Sequence, residues 1–296
     1  MIPGKFAYLA ARTATEAVDT LGRHPDEAKL LAGGQSLIPM MKLRLAAPEI
    51  LVDISRIADL AYVREENSHL AIGALTRESA LETSDLVARR YPILVDTTQV
   101  IADPIVRNLA TVGGNLAHGD PANDHPATML ALRAELVATG PNGNRVIPID
   151  DFFVDTFETA LEPAEILTEI RIPAPQAQSG GAYCKFERKV GDYGVAGAGA
   201  YIVLDGNGRV AQAGIGLSNM GPKPLRATDA EGVLLGELPT EERLQAAAQQ
   251  AADASDPVGD LRGPAEYKRA VLRTMTFRAL TRAVERAQSA EAGGSS

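Results

Sequence analysis

AGGQSLIPMMKLRL, residues 32–45, follows a strand-like apolar run at 28–32 and leads into a second such run at 50–53. A helix-like stretch around 15–21 precedes it. The order is strand, glycine loop, short helix, strand. Pro39 suits the first turn of that helix, where its missing N–H costs nothing. Glycines allow positive φ and let backbone N–H groups come close to an anion. The Ser36 hydroxyl and the N-terminus of the following helix add donors. A second glycine pair, Thr111-Val112-Gly113-Gly114-Asn115, repeats the combination, and two such loops could grip one pyrophosphate from two sides. Each Gly-Gly on its own is weak evidence, since a bare Gly-Gly is more often an ordinary turn. Neither is G-x-G-x-x-G or a Walker loop, so a Rossmann or P-loop site has no support.

Outward from these loops, three blocks emerge. The first ends near Arg56 and the second near Pro175. Within the second, a strand is predicted at 70–75, helices at 78–88 and 93–100, and a hairpin from 135–139 and 145–149 around Gly140-Pro141-Asn142-Gly143-Asn144. Ile172-Pro173-Ala174-Pro175 and the polar run 176–181 read as a connection between domains. The third block holds an alternating run at 182–186 and strands at 195–204 and 209–217 around Asp205-Gly206-Asn207-Gly208. Thr240 is predicted to cap a helix whose first turn is acidic. A last helix runs from about Pro264 to Gln288, with Leu272, Met275, Leu280 and Val284 on one stripe. Residues 292–296 are expected to fray.

The chain has 296 residues, 45% apolar and 23% charged, enough for two or three packed domains. A net charge of -9 argues against a nucleic-acid or membrane-surface role. No apolar run reaches the roughly eighteen residues of a bilayer span, and MIPGKFAYLAARTATEA lacks a signal-peptide core, so the expected location is cytoplasmic. The one cysteine, Cys184, cannot form an internal disulfide or hold an iron–sulfur cluster, and reads as a small strand residue. The four histidines, His24, His69, His118 and His125, form no HExxH, and no metal site is expected. His118 and His125 read as surface histidines. Asp120 and Asp124 can cap the turns around Pro121 and the helix expected near Pro126. Lys185 reads as a solvated strand charge and Tyr193 as core packing.

AGGQSLIPMMKLRL, TVGGNLAHGDPANDHPA (111–127) and KFERKVGDY (185–193) together resemble the flavoprotein (medium) subunits of molybdenum hydroxylases, and the likeness runs from MIPGKFAY through the last helix. Within that family the chain looks most like the molybdenum–copper carbon monoxide dehydrogenase branch. The resemblance implies an α+β chain. A vanillyl-alcohol-oxidase/PCMH-type FAD-binding fold of two α/β subdomains, 1–56 and 57–175, would be followed by a smaller α+β C-terminal domain, 176–288, and a disordered tail, 289–296. It implies that Ala32, Gly33, Gly34, Gln35 and Ser36, with Thr111, Gly113, Gly114 and Asn115, bind the FAD pyrophosphate. Asp124 would contact the ribityl or isoalloxazine end, Lys185 would lie near the flavin, and Tyr193 would sit beside the isoalloxazine. Gln35 stands where close relatives often carry His. With no histidine or cysteine in either glycine loop, the FAD is expected to be non-covalent.

The implied partners are a large molybdenum-cofactor subunit and a small [2Fe–2S] subunit in a dimer of heterotrimers, with a quinone as acceptor. Through that complex the chain would reach the inner face of the membrane. No catalytic acid or base is expected on this chain. The competing readings are a medium subunit for another substrate (a purine, nicotine or another N-heterocycle), a self-contained flavin oxidase, and a scaffold that has lost FAD.

Overall fold

The computed structural model describes residues 2–66 and 68–292. Its first unit is β1 (Ala7–Ala10), α1 (Ala14–Arg23), β2 (Ala28–Leu31), α2 (Leu37–Leu43) and β3 (Ile50–Asp53). The strands are parallel, in the order β1-β3-β2. Thr13 caps α1 by accepting from the Glu16 amide, and Pro39 falls in the first turn of α2. Strand β1 was not predicted. Its AYLA is exposed along most of its length and shows no period-2 pattern.

The second unit contains β4 (Val63–Glu65), β5 (His69–Gly73), the helices α3 (Glu78–Glu82), α4 (Asp85–Arg90), α5 (Pro92–Gln99), α6 (Pro104–Arg107), α7 (Val112–Ala117) and α8 (Asp124–Leu132), and the hairpin β6 (Glu135–Gly140) and β7 (Gly143–Pro148). Then come α9 (Ile149–Phe152), the small pair β8 (Phe153–Asp155) and β9 (Glu158–Thr159), and β10 (Ile166–Pro173). An antiparallel sheet of order β4-β5-β10-β6-β7 results. Three expectations need correction. The helix predicted over 78–88 is two helices, because the Ser84 side chain accepts from the Val87 amide and starts a new one. Ile172 and Pro173 are not part of a connection, since they pair with Leu70 and His69 at the end of β10. The second glycine loop is not a loop: Thr111 caps α7, and Gly113 and Gly114 lie in its first turn.

The third unit is an antiparallel sheet, β11-β12-β13-β14, from β11 (Ser179–Phe186), β12 (Ala196–Leu204), β13 (Val210–Ser218) and β14 (Leu225–Arg226), with α10 (Thr228–Leu234), α11 (Glu241–Asp253) and α12 (Ala265–Ala292). Thr240 caps α11 through the Arg243 amide, and Leu272, Met275, Leu280 and Val284 of α12 are buried. Helix α12 runs past the expected end at Gln288, and residues 293–296 of the expected tail lie outside the described residues.

One helix joins the units. Every residue of α8 is buried, as expected of a helix enclosed on all sides. It rests directly on β13. A Cβ at Gly214 or Gly216 would fall 2.0 Å from the Ala131 carbonyl oxygen or 1.9 Å from that of Ala127, so glycine there admits the helix backbone itself. Helix α12 covers β11 in the same way at Gly180, whose Cβ would lie 2.2 Å from the Ala283 carbonyl oxygen.

Candidate functional site

The two glycine segments touch. A Cβ at Gly33 would lie 2.2 Å from the Leu109 carbonyl oxygen and 2.8 Å from the Ala110 Cα, and one at Gly114 would lie 3.8 Å from the Ala32 Cβ. Their backbones are not equivalent. Among the four glycines, only Gly34 has positive φ, at 73°. Gly33, Gly113 and Gly114 are therefore required by close approach rather than by a left-handed backbone. At Gly113 the neighbour is Ala74, 2.5 Å from where a Cβ would sit.

Hydrogen bonding separates the segments further. In the second, the amides of Val112 and Gly113 donate to the carbonyls of Thr76 and Ala74, at 3.0 and 2.9 Å. The Gly114 amide donates to Thr111 Oγ1 (3.1 Å) and that of Asn115 to the Thr111 carbonyl (2.9 Å). In the first, the consecutive amides of Gly33, Gly34, Gln35, Ser36 and Leu37 donate to no acceptor among the described residues. That row of N–H groups ends at the start of α2, where Ser36 makes no side-chain cap bond. Gln35 turns back, its Nε2 donating to the Gly33 carbonyl at 3.1 Å. The geometry fits an anion held by the first segment against a wall formed by the second. The wall has a buried acceptor of its own, for Asn115 Oδ1 has no partner among the described residues.

From this wall the structure leads to the other candidate residues. Asn123 Nδ2 donates to the Asn115 carbonyl at 2.8 Å, which seats the start of α8 beside α7. Asp124, the next residue, is buried. It accepts from the Tyr183 hydroxyl at 2.6 Å and from Lys185 Nζ at 3.0 Å. The ammonium also donates to the Val100 carbonyl at 2.8 Å and lies 3.3 Å from Glu187. Burial pushes the Asp124 carboxyl above its ordinary value, and the Lys185 charge opposes the rise. Burial, followed by the Asp124 charge, raises Tyr183 well above its ordinary value. Lys185 is thus no solvated strand charge, as its side chain is 2% exposed.

Tyr193 lies at the mouth of the cluster, not in a core: it is 43% exposed. Partial desolvation, then the charges of Asp120 and Asp124, push its hydroxyl up to about 12. The neighbouring Gly194 packs against the Lys185 stem, with 3.3 Å from a Cβ position to Lys185 Cγ. Asn219 ties the pieces together, its amide donating to the Pro121 carbonyl (2.7 Å) and its Nδ2 to that of Gly194 (2.8 Å).

Sequence reasoning missed Tyr183, Ser218 and His125. Tyr183 was findable: on an alternating strand it shares a face with Lys185, two residues on. Ser218 Oγ, 3.1 Å from the Tyr183 hydroxyl, comes from a distant strand and carried no local signal. His125 is not a surface histidine. It is fully buried, with Nε2 2.7 Å from Glu78 Oε2. His118 is half-buried; its ring centroid lies 5.1 Å from that of Phe157, and burial lowers its pKa. Among the described residues, no group of three or more His, Cys, Asp or Glu is placed to hold a metal ion, and no helix is long and apolar enough to cross a membrane.

Comparison with known proteins bears on this geometry. Residues 4–175 match the family described as the FAD binding domain in molybdopterin dehydrogenase, and residues 181–283 match the CO dehydrogenase flavoprotein C-terminal domain. The carbon monoxide dehydrogenase medium chain of Hydrogenophaga pseudoflava is 47% identical over 283 residues, 96% of this chain and 98% of that one. A solved carbon monoxide dehydrogenase from the same organism, lacking the Mo-pyranopterin moiety of its molybdenum cofactor, superposes with a TM-score of 0.94 at 49% identity, covering 97% of this chain and 99% of the other. Quinoline 2-oxidoreductase from Pseudomonas putida 86 superposes with a TM-score of 0.90 at 30% identity, covering 98% and 99%.

Proposed function

The chain belongs to the family of FAD-binding subunits of molybdopterin dehydrogenases, the medium chains of molybdenum hydroxylases, and from that premise we propose that it is the electron-transfer subunit of a carbon monoxide dehydrogenase. When bound, FAD supplies the redox chemistry, linking [2Fe–2S] clusters on a small partner subunit, fed by CO oxidation at a molybdenum site on a large one, to an external acceptor such as a quinone. The observation that carries the reading is the row of amides, Gly33 to Leu37, with no acceptor among the described residues, adjacent to the Thr111–Asn115 segment.

Each residue has a task in it. Ala32, Gly33, Gly34 and Ser36 present the amides and a hydroxyl to the pyrophosphate. Gln35 braces that turn through the Gly33 carbonyl. Thr111, Gly113, Gly114 and Asn115 form the opposing wall, and Asn115 Oδ1 would accept from a hydroxyl or N–H of the cofactor, since the diphosphate has no donor. Asp124 and Lys185 place a buried ion pair at the far end of the site. The half-exposed Tyr193 ring offers a flat face for the isoalloxazine. The residues 1–56 and 57–175 supply the two sides of the site, and 176–288 supplies Lys185 and Tyr193. No residue here has to act as acid or base on the substrate.

A second reading keeps the flavin and changes the substrate. What supports it is the likeness to quinoline 2-oxidoreductase, an enzyme named for another substrate. One experiment tests both. The purified chain loaded with FAD is followed anaerobically at the flavin band, first alone and then with its molybdenum and iron–sulfur partners, in a dimer of heterotrimers. CO should bleach the flavin only in the complex. Bleaching by quinoline or nicotine but not CO selects the second reading, and bleaching of the isolated chain by substrate refutes the relay.

A further inference from the structure

The first turn of α8 carries two buried titratable side chains, and the site uses only Asp124. The other, His125, is fully buried and bonds Glu78, which is also fully buried. Glu78 opens α3, its amide donates to the Ala110 carbonyl at 3.0 Å, and the residue before it, Arg77, forms an antiparallel bridge with Thr111. Arg77 also donates from Nη1 to the Leu109 carbonyl, the group against which Gly33 packs. One end of the Glu78–His125 bond is therefore fastened to the backbone that leads into the Thr111 wall. The other end is fastened to the residue that follows Asp124.

Packing alone does not call for this pair. Helix α8 is already enclosed by apolar neighbours and by the glycine contacts of β13. A carboxylate and an imidazole at fully buried positions cost more than an apolar pair of the same volume. The cost is not fully offset here, because Glu78 Oε1 and His125 Nδ1 have no partner among the described residues. What a hydrogen bond adds, and apolar contact does not, is a fixed direction and length. We propose that Glu78 and His125 are positioning residues for the cofactor: a buried strut that sets the separation between the Thr111–Asn115 wall and the Asp124–Lys185 pair. The proposal rests on the FAD reading above.

The test uses the full chain and four variants: Glu78→Leu, His125→Leu, the double Glu78→Leu/His125→Leu, and His125→Gln, whose amide can still donate to Glu78. FAD affinity is read by flavin fluorescence quenching, and the melting temperature is read with and without FAD. Both single leucine variants should bind FAD at least roughly tenfold more weakly, the effect of one lost buried bond. The double variant removes both polar groups, so it should regain or exceed wild-type melting temperature without FAD and yet still bind FAD weakly. His125→Gln should recover part of the affinity. A double variant that binds FAD like the wild type, or an FAD-induced melting shift equal in all variants, overturns the strut and leaves a merely structural pair. A wild-type chain that takes up no FAD overturns the cofactor reading, and the strut with it, an outcome distinguished by the failure of the wild type itself.

Discussion

Replacing Gly33 with alanine tests the site at its tightest point. The new Cβ would lie 2.2 Å from the Leu109 carbonyl oxygen, against the 3.4 Å at which ordinary contact begins. The obstacle is backbone on both sides, so no side chain can swing away, and the two glycine segments must part by about 1.2 Å. Overpacking of this kind costs about 1–3 kcal/mol. If the strain is relieved by spreading the amide row from its wall, FAD affinity falls by roughly tenfold to a hundredfold. Gly34→Ala provides the contrast. It meets a positive φ of 73°, worth about 1–2 kcal/mol, but its nearest obstacle is the tip of Ile38, at 2.7 Å, which can rotate. Stability should drop there with a smaller loss of FAD binding. Gly232→Ala, in α10 with nothing within 4 Å, serves as the control: it should leave FAD binding unchanged and raise stability by about 0.5–1 kcal/mol. FAD titration by fluorescence and urea denaturation of the three variants would decide. A Gly33→Ala chain with wild-type FAD affinity would refute the account of close approach.

Acid precipitation should release all flavin to the supernatant, because neither glycine segment contains a histidine or cysteine to bond it; colour kept in the pellet would count against this. Lys185→Met should destabilise the chain by about 3–5 kcal/mol by leaving the Asp124 carboxylate buried without its cation, and adding Asp124→Asn should recover much of the loss in urea. The Arg145 guanidinium, 2.6 Å away, holds the Glu165 carboxyl below its ordinary 4.5. As pH falls the unfolded chain takes up that proton first, so the stabilisation is present above pH 4.5 and lost as pH drops through the depressed value. With Arg145 partly exposed, it is worth less than about 1 kcal/mol. Arg145→Met should thus unfold at lower urea than the wild type at pH 7, by a margin that narrows as the pH is lowered below 4.5. A gap that widens in acid would contradict the assignment.

Local chemistry made much of this molecule readable. The Pro141-Asn142 and Asp205-Gly206 hairpins, the Thr240 cap and the α12 stripe depend on neighbours in sequence, and they stand where expected. The glycine segments were legible as a pair, but their division of labour was not. Whether an amide is free depends on Thr76 and Ala74, which bond the second segment from the distant turn after β5. Lys185 and His125 were misplaced for a related reason. A charged side chain defaults to solvent unless a partner is near, and Asp124 and Glu78 are 61 and 47 residues away. Strand β10 was not predicted, its end being read as a connection because of Pro173 and Pro175, although Pro173 ends the strand and removes only one donor there.

The seating of α12 on β11 at Gly180 bears on biosynthesis. Lys185 and Tyr183 lie on β11, and the last long helix covers that strand. A nascent chain still lacking its final thirty or so residues can pair β1, β2 and β3 and present the amide row, and can pair β11 with β12, yet it lacks the helix that packs over β11 at Gly180. Ribosome-bound chains stalled before residue 265 should therefore capture FAD poorly, whereas chains released at full length should take it up. Insertion of the cofactor then becomes an event of completed protein, and a premature stop ahead of α12 would leave an apoprotein rather than a shortened holoprotein.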